Sequence, residues 1–199
     1  MLPPREISPR LILASTSPFR KALLTKLGIA FATFASEIDE SPLPGENPEQ
    51  LVRRLAVAKA RAAEEQFTEA LIIGSDQVAC IEGNILGKPG SRQRAIEQLQ
   101  SASGRSVDFY TGLALLNVST GRVQCVCEMF SVLFRPLSQA QIGRYLDAEE
   151  PYNCAGSFKS EGLGIALFEA LHGDDPNTLI GLPLIRLIDM LRAEGVQIP

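Results

Sequence analysis

Two four-residue runs, LILA at 11–14 and LIIG at 71–74, constrain the fold most, because each is a short apolar stretch cut off at once by small polar residues. Runs of that length, bounded by turn-forming residues, read as buried strands rather than helices. What lies between them has the other period. Ser17 and Pro18 supply an N-cap and a first helical position, Leu23, Leu24 and Leu27 share one side, and Gly28 can close the helix. Residues 29–36 return as a strand. Asn47, Pro48 and Gln50 then give the N-cap, first-turn proline and capping-box partner of a second helix, expected to run to about Gln66. Its stripe is Leu51, Leu55, Ala58 and Ala62, with Lys59 at the border. Strands alternating with helices in this way predict an α/β or mixed α+β class.

The pattern continues downstream. Residues 78–81 are extended, 82–84 form a turn, and a helix follows from about Ser91 to Ser101. Residues 107–118 and 123–134 flank Ser119-Thr120-Gly121 as a hairpin, which puts an antiparallel pair into a mixed sheet. Ser138 caps a helix through Leu146, and Pro183 opens a last helix ending near Glu194. Residues 1–10 are expected to form a flexible leader, and 11–199 a single domain.

Several classes are excluded. The net charge is −4 and the basic residues are scattered, so a nucleic-acid polymer is not the partner. No apolar stretch approaches the roughly 20 residues of a membrane span, and no targeting segment is visible. The expectation is a soluble, cytoplasmic protein with no membrane partner, its four cysteines reduced. His172 is the one histidine, which removes histidine metal cages, and no G-x-S-x-G elbow, Walker loop or G-x-G-x-x-G turn occurs.

Three groups remain that can do chemistry. Ser15, Ser17 and Arg20 surround a helix N-terminus, where free N–H groups, hydroxyls and a guanidinium fork suit phosphate oxygens. Glu37, Asp39 and Asp76, the last expected just past the end of the 71–74 strand, offer hard oxygen ligands for magnesium or manganese. Lys59 and Lys88 can each meet a phosphate as a point charge. Taken singly, each group is also explained by a capped helix, a solvated acidic loop or snorkelling lysines.

Their order along the chain resembles the Maf family of nucleoside triphosphate pyrophosphatases. The matching pieces are Ser15-Thr16-Ser17-Pro18-Phe19-Arg20, Glu37-Ile38-Asp39-Glu40, Lys59-Ala60, Gly74-Ser75-Asp76-Gln77, Gly87-Lys88-Pro89, Tyr110-Thr111-Gly112 and residues 155–164. The resemblance implies a mixed α/β fold like that of inosine triphosphatases, with two lobes around an extended mixed sheet and a central cleft. It implies hydrolysis between the α and β phosphates of a nucleoside triphosphate with Mg²⁺ or Mn²⁺, and a homodimer. Asp76, Lys59 and Lys88 take catalytic positions, Glu37 and Asp76 metal positions, and Ser15, Ser17 and Arg20 phosphate-binding positions. Phe19, Gln77 and Glu161 depart from the dTTP/UTP-cleaving pattern and resemble the bacterial subgroup that prefers 7-methyl-GTP. An aromatic face attracts the cationic methylated base, and Glu161 can accept from the guanine edge. The same reaction on dTTP, UTP or another modified nucleotide, and a nucleotide-binding regulator that does not hydrolyse, stay open at this point.

Overall fold

The helix-start chemistry read from the sequence is present as hydrogen bonds in the computed structural model, which describes residues 4–198. The elements are β1 (Arg10–Leu13), α1 (Pro18–Thr25), β2 (Phe31–Thr33), α2 (Pro48–Ala62), β3 (Ala70–Ile81), β4 (Asn84–Leu86), α3 (Arg92–Ala102), β5 (Ser106–Asn117), β6 (Arg122–Phe134), α4 (Gln139–Glu149), β7 (Phe168–His172), α5 (Asn177–Ile180) and α6 (Leu184–Ala193). Ser17, Asn47, Ser91 and Ser138 each accept the backbone N–H three residues on, and Asn47 and Ser138 complete capping boxes with Gln50 and Gln141.

The strands form one mixed sheet in the order β2-β1-β3-β5-β6-β7, with β4 paired to β3. β1 is parallel to β2 and to β3, setting Leu11 opposite Leu71 and Ile12 opposite Ile72. Residues 11–13 of β1 and 71–73 of β3 are continuous in apolar side chains because both faces are covered there. β4 is antiparallel to β3, and β7 to β6. Helices flank this sheet, so the mixed α/β class is realised.

By its internal contacts the chain divides into two compact units. The first holds the described residues up to Asp76, then Thr111–Glu128 and the chain from Gly181 on; the second holds Gln77–Tyr110 and Met129–Ile180. In the first, Ile12, Ile72, Ala60 and Leu116 belong to one core cluster. In the second, Phe158 packs edge-on against Phe109, Phe134 and Phe168 at centroid distances of 5.3, 5.5 and 4.9 Å.

The expected end of the 71–74 strand changes. β3 does not stop at Gly74 but runs on through Ser75 and Asp76 to Ile81, which joins the two stretches expected to be separate. Within the expected leader, residues 1–3 lie outside the described residues, and Arg5 forms a parallel bridge with Ile29. All four cysteines are free thiols, and no helix of the described residues is long and apolar enough to cross a membrane.

Candidate active site

The site is set by how closely α2 lies on the sheet. A Cβ added at Gly74 would stand 2.0 Å from the Ala56 carbonyl oxygen, and one at Gly112 would stand 2.1 Å from that of Val52. Only glycine lets the helix backbone approach these two strands so nearly. This contact turns the face carrying Val52, Ala56, Lys59 and Ala60 inward. Lys59, expected at the border of the apolar stripe, is instead buried at 7% exposure.

Lys59 Nζ donates to Asp76 Oδ1 at 2.7 Å and pairs with Glu40 Oε1 at 2.6 Å. Asp76 is also 7% exposed and sits mid-strand rather than beyond a strand end. The small polar residues before it read as a strand end, yet both have structural reasons to lie in β3. Gly74 is bare because α2 presses on it, and Ser75, fully buried, donates its hydroxyl to the Gly181 carbonyl at 2.9 Å. Truncating one partner of a buried pair such as Lys59–Asp76 strands the other charge, at a cost of about 3–5 kcal/mol.

The same Gly181 carbonyl accepts Arg20 Nε at 2.8 Å. Ser15 Oγ accepts the Ser17 N–H at 3.1 Å, and Ser17 Oγ accepts the Arg20 N–H at 3.3 Å. The start of α1 thus fixes Arg20 twice, through its backbone and through its guanidinium. Burial lowers the Arg20 pKa, while Asp76 and Glu40 pull it back up. Both carboxylates therefore act on Arg20 as well as on Lys59. Phe19, one residue earlier, is half-buried.

Glu40 is held by a neighbouring loop. Arg54 binds Glu46 in a two-pronged bond, Nε to Oε1 at 2.6 Å and Nη2 to Oε2 at 2.8 Å, and also reaches the Ser41 carbonyl at 3.0 Å. That pairing pulls the Glu46 carboxyl down to about 2. Glu37 is exposed and makes no hydrogen bond or ion pair among the described residues. The carboxylate that meets Asp76 across Lys59 is Glu40.

No three histidine, cysteine or acidic side chains among the described residues form a metal-ligand cluster. Two carboxylates nevertheless converge on one cationic group, and their hard oxygens fit a divalent cation whose remaining ligands are phosphate oxygens and water.

Three expected site residues belong to the second unit. Gln77 donates from Nε2 to the carbonyls of Thr178 at 2.8 Å and Leu179 at 3.2 Å, fastening α5. Lys88 and Glu161 are exposed, and Ser160 Oγ donates to Glu161 Oε2 at 3.2 Å. Both act on Cys154, whose thiol is pushed up chiefly by burial and then by Glu161, with Lys159 and Lys88 opposing. Lys88 and Glu161 thus share one electrostatic neighbourhood. The segment leading to Glu161 is anchored by the Lys159 N–H on Tyr145 Oη at 3.0 Å.

Sequence reasoning passed over Ser75, Arg54 and Gly181. The first lies beside Asp76 and could have been suspected. Gly181 carries a signal only in its backbone, a φ of +113° that a side chain would strain.

A family description, Maf-like protein, matches residues 10–194. A protein of Vibrio vulnificus named 7-methyl-GTP pyrophosphatase is 59% identical over 189 residues, which is 95% of this chain and 97% of that protein. Proteins of the same name from Alcanivorax borkumensis and Pseudomonas aeruginosa are 60% and 56% identical, each over 96% of this chain and over 98% and 100% of their own.

Proposed function

The chain belongs to the Maf family, and from that premise we propose that it hydrolyses 7-methyl-GTP to the nucleoside monophosphate and pyrophosphate. The observation that carries the reading is the meeting of Lys59, Asp76 and Glu40 beside Arg20, in a chain 56–60% identical to proteins named for that reaction.

The roles follow from the chemistry of each group. Arg20 offers its terminal N–H groups to phosphate oxygens, since Nε is committed to Gly181. Ser15 and Ser17 add their hydroxyls as donors for the same anion. Asp76 accepts the proton of the attacking water through Oδ2, since Oδ1 is bonded to Lys59. Lys59 moves positive charge toward the phosphoryl oxygens as negative charge grows on them. Asp76 and Glu40 are the residues that would hold a divalent cation, which polarises phosphoryl oxygens and makes bound water more acidic. Glu37 keeps a metal role only as a proposal.

Lys88, Gln77 and Glu161 keep substrate-contact roles within the same proposal, Glu161 as the acceptor for the guanine edge. Phe19 keeps the proposed aromatic role. A homodimer belongs here too, and light scattering decides it.

The test is product analysis with 7-methyl-GTP, GTP, UTP and dTTP in the presence of Mg²⁺ or Mn²⁺. The expected products are monophosphate and pyrophosphate, with 7-methyl-GTP turned over fastest. Orthophosphate as the product, or faster cleavage of UTP and dTTP, refutes the assignment.

A further inference from the structure

Around Asp76 two carboxylates meet two cationic groups, and Arg54, paired with Glu46, also acts on Asp76. Asp76 and Glu40 share the Lys59 ammonium at 2.7 and 2.6 Å, and both act on the Arg20 guanidinium. A bare divalent cation would enter beside two positive charges and would compete with Lys59 for both carboxylates. A triphosphate alone would meet two carboxylates. The complex of the two suits the site better, because its phosphate oxygens suit Lys59 and Arg20 while its cation suits Asp76 and Glu40.

Lys59 is built for that exchange. Its ammonium ends a flexible four-carbon stem with three rotatable donors, so it can turn from carboxylate to phosphate without backbone movement. Arg20 cannot substitute for it, since its Nε is fixed on Gly181. The Glu40 side chain is half-exposed, so solvent screens its share of the pairing. The buried bond to Asp76 carries most of the effect.

We propose that Lys59 is a placeholder cation: it keeps the Asp76–Glu40 pair closed to free divalent metal and releases it to metal that arrives bound to a triphosphate. The proposal rests on the nucleotide reading above. It makes metal binding conditional on substrate.

Mn²⁺ is the probe, with the free ion measured by its paramagnetic resonance signal in the absence of nucleotide. Lys59→Gln, which removes the charge and keeps a donor for Asp76, is expected to bind Mn²⁺ at least about tenfold more tightly than the unaltered protein, the smallest effect of a like charge at this range. Lys59→Arg, which keeps the charge, is expected to gain nothing. Equal affinity in Lys59→Gln and the unaltered protein overturns the proposal. Should Lys59→Gln not fold, the unaltered protein decides. Mn²⁺ that binds without nucleotide and is lost in Glu40→Gln overturns it; Mn²⁺ taken up only with an α,β-methylene triphosphate analogue supports it. Pyrophosphate release is followed alongside. A protein that releases none refutes the function, whereas one that releases it but binds free Mn²⁺ equally in both forms refutes the placeholder alone.

Discussion

Replacing Gly74 with alanine tests whether the close seating of α2 on the sheet is what builds the site. The new Cβ would lie 2.0 Å from the Ala56 carbonyl oxygen and 2.8 Å from the Ala60 nitrogen, and ordinary contact begins at 3.4 Å. Both obstacles are helix backbone, so no side chain can swing aside, and α2 itself must lift. Overpacking of this kind costs about 1–3 kcal/mol, partly offset by about 0.4–1 kcal/mol from the lost flexibility of glycine in the unfolded chain. The larger effect is chemical. Lys59 adjoins Ala60, so lifting the helix lengthens its 2.7 Å bond to Asp76. A displacement of about 1 Å in a catalytic group can lower turnover by about 100-fold. Urea unfolding followed by circular dichroism gives the first quantity, and pyrophosphate release at saturating nucleotide gives the second. Gly143→Ala is the control, because nothing lies within 4 Å of that Cβ and the residue is inside α4; it is expected to stabilise by up to about 1 kcal/mol. Gly74→Ala with an unchanged unfolding midpoint and unchanged turnover refutes the reasoning.

Asp76→Asn removes the proton acceptor but keeps the shape, so turnover is expected to fall by about 100- to 10,000-fold while the circular dichroism spectrum stays the same; near-normal turnover contradicts the assigned role. Glu161→Gln should lower the ratio of 7-methyl-GTP to UTP cleavage in a competition assay, and an unchanged ratio removes Glu161 from base selection. Glu46 titrates near 2 when folded and near 4.3 when unfolded, so the unfolded chain binds more protons between those values. Stability from the Arg54–Glu46 bond is therefore complete above about pH 4.3 and lost as pH falls toward about 2. Glu46→Gln should flatten that part of an acid-unfolding series, and a curve matching the unaltered protein sinks the assignment.

Local chemistry was legible and long-range satisfaction was not. The caps at Ser17 and Asn47 were readable because each bonds a backbone group three residues away. The mid-strand place of Asp76 was hidden, since Ser75 is made acceptable in a buried strand by a carbonyl 106 residues later. Lys59 looked like a border residue because burial of a lysine depends on partners from other elements, here Asp76 and Glu40. Among the acidic residues at 37–40, nothing in the run itself favours Glu40 over Glu37. The choice is made by the loop that Arg54 fastens. Gln77, expected to touch substrate, uses its amide nitrogen on the carbonyls of Thr178 and Leu179. The identity of a residue reveals what it can donate, whereas its recipient comes from the fold.

Phe158 stands three residues before Glu161, and its ring is 5% exposed among Phe109, Phe134 and Phe168. The stretch that would distinguish one nucleobase from another is therefore rooted in the aromatic interior rather than hung on the surface. On the proposed role of Glu161, a loop transplanted to change the preferred base needs a matching ring socket beneath it.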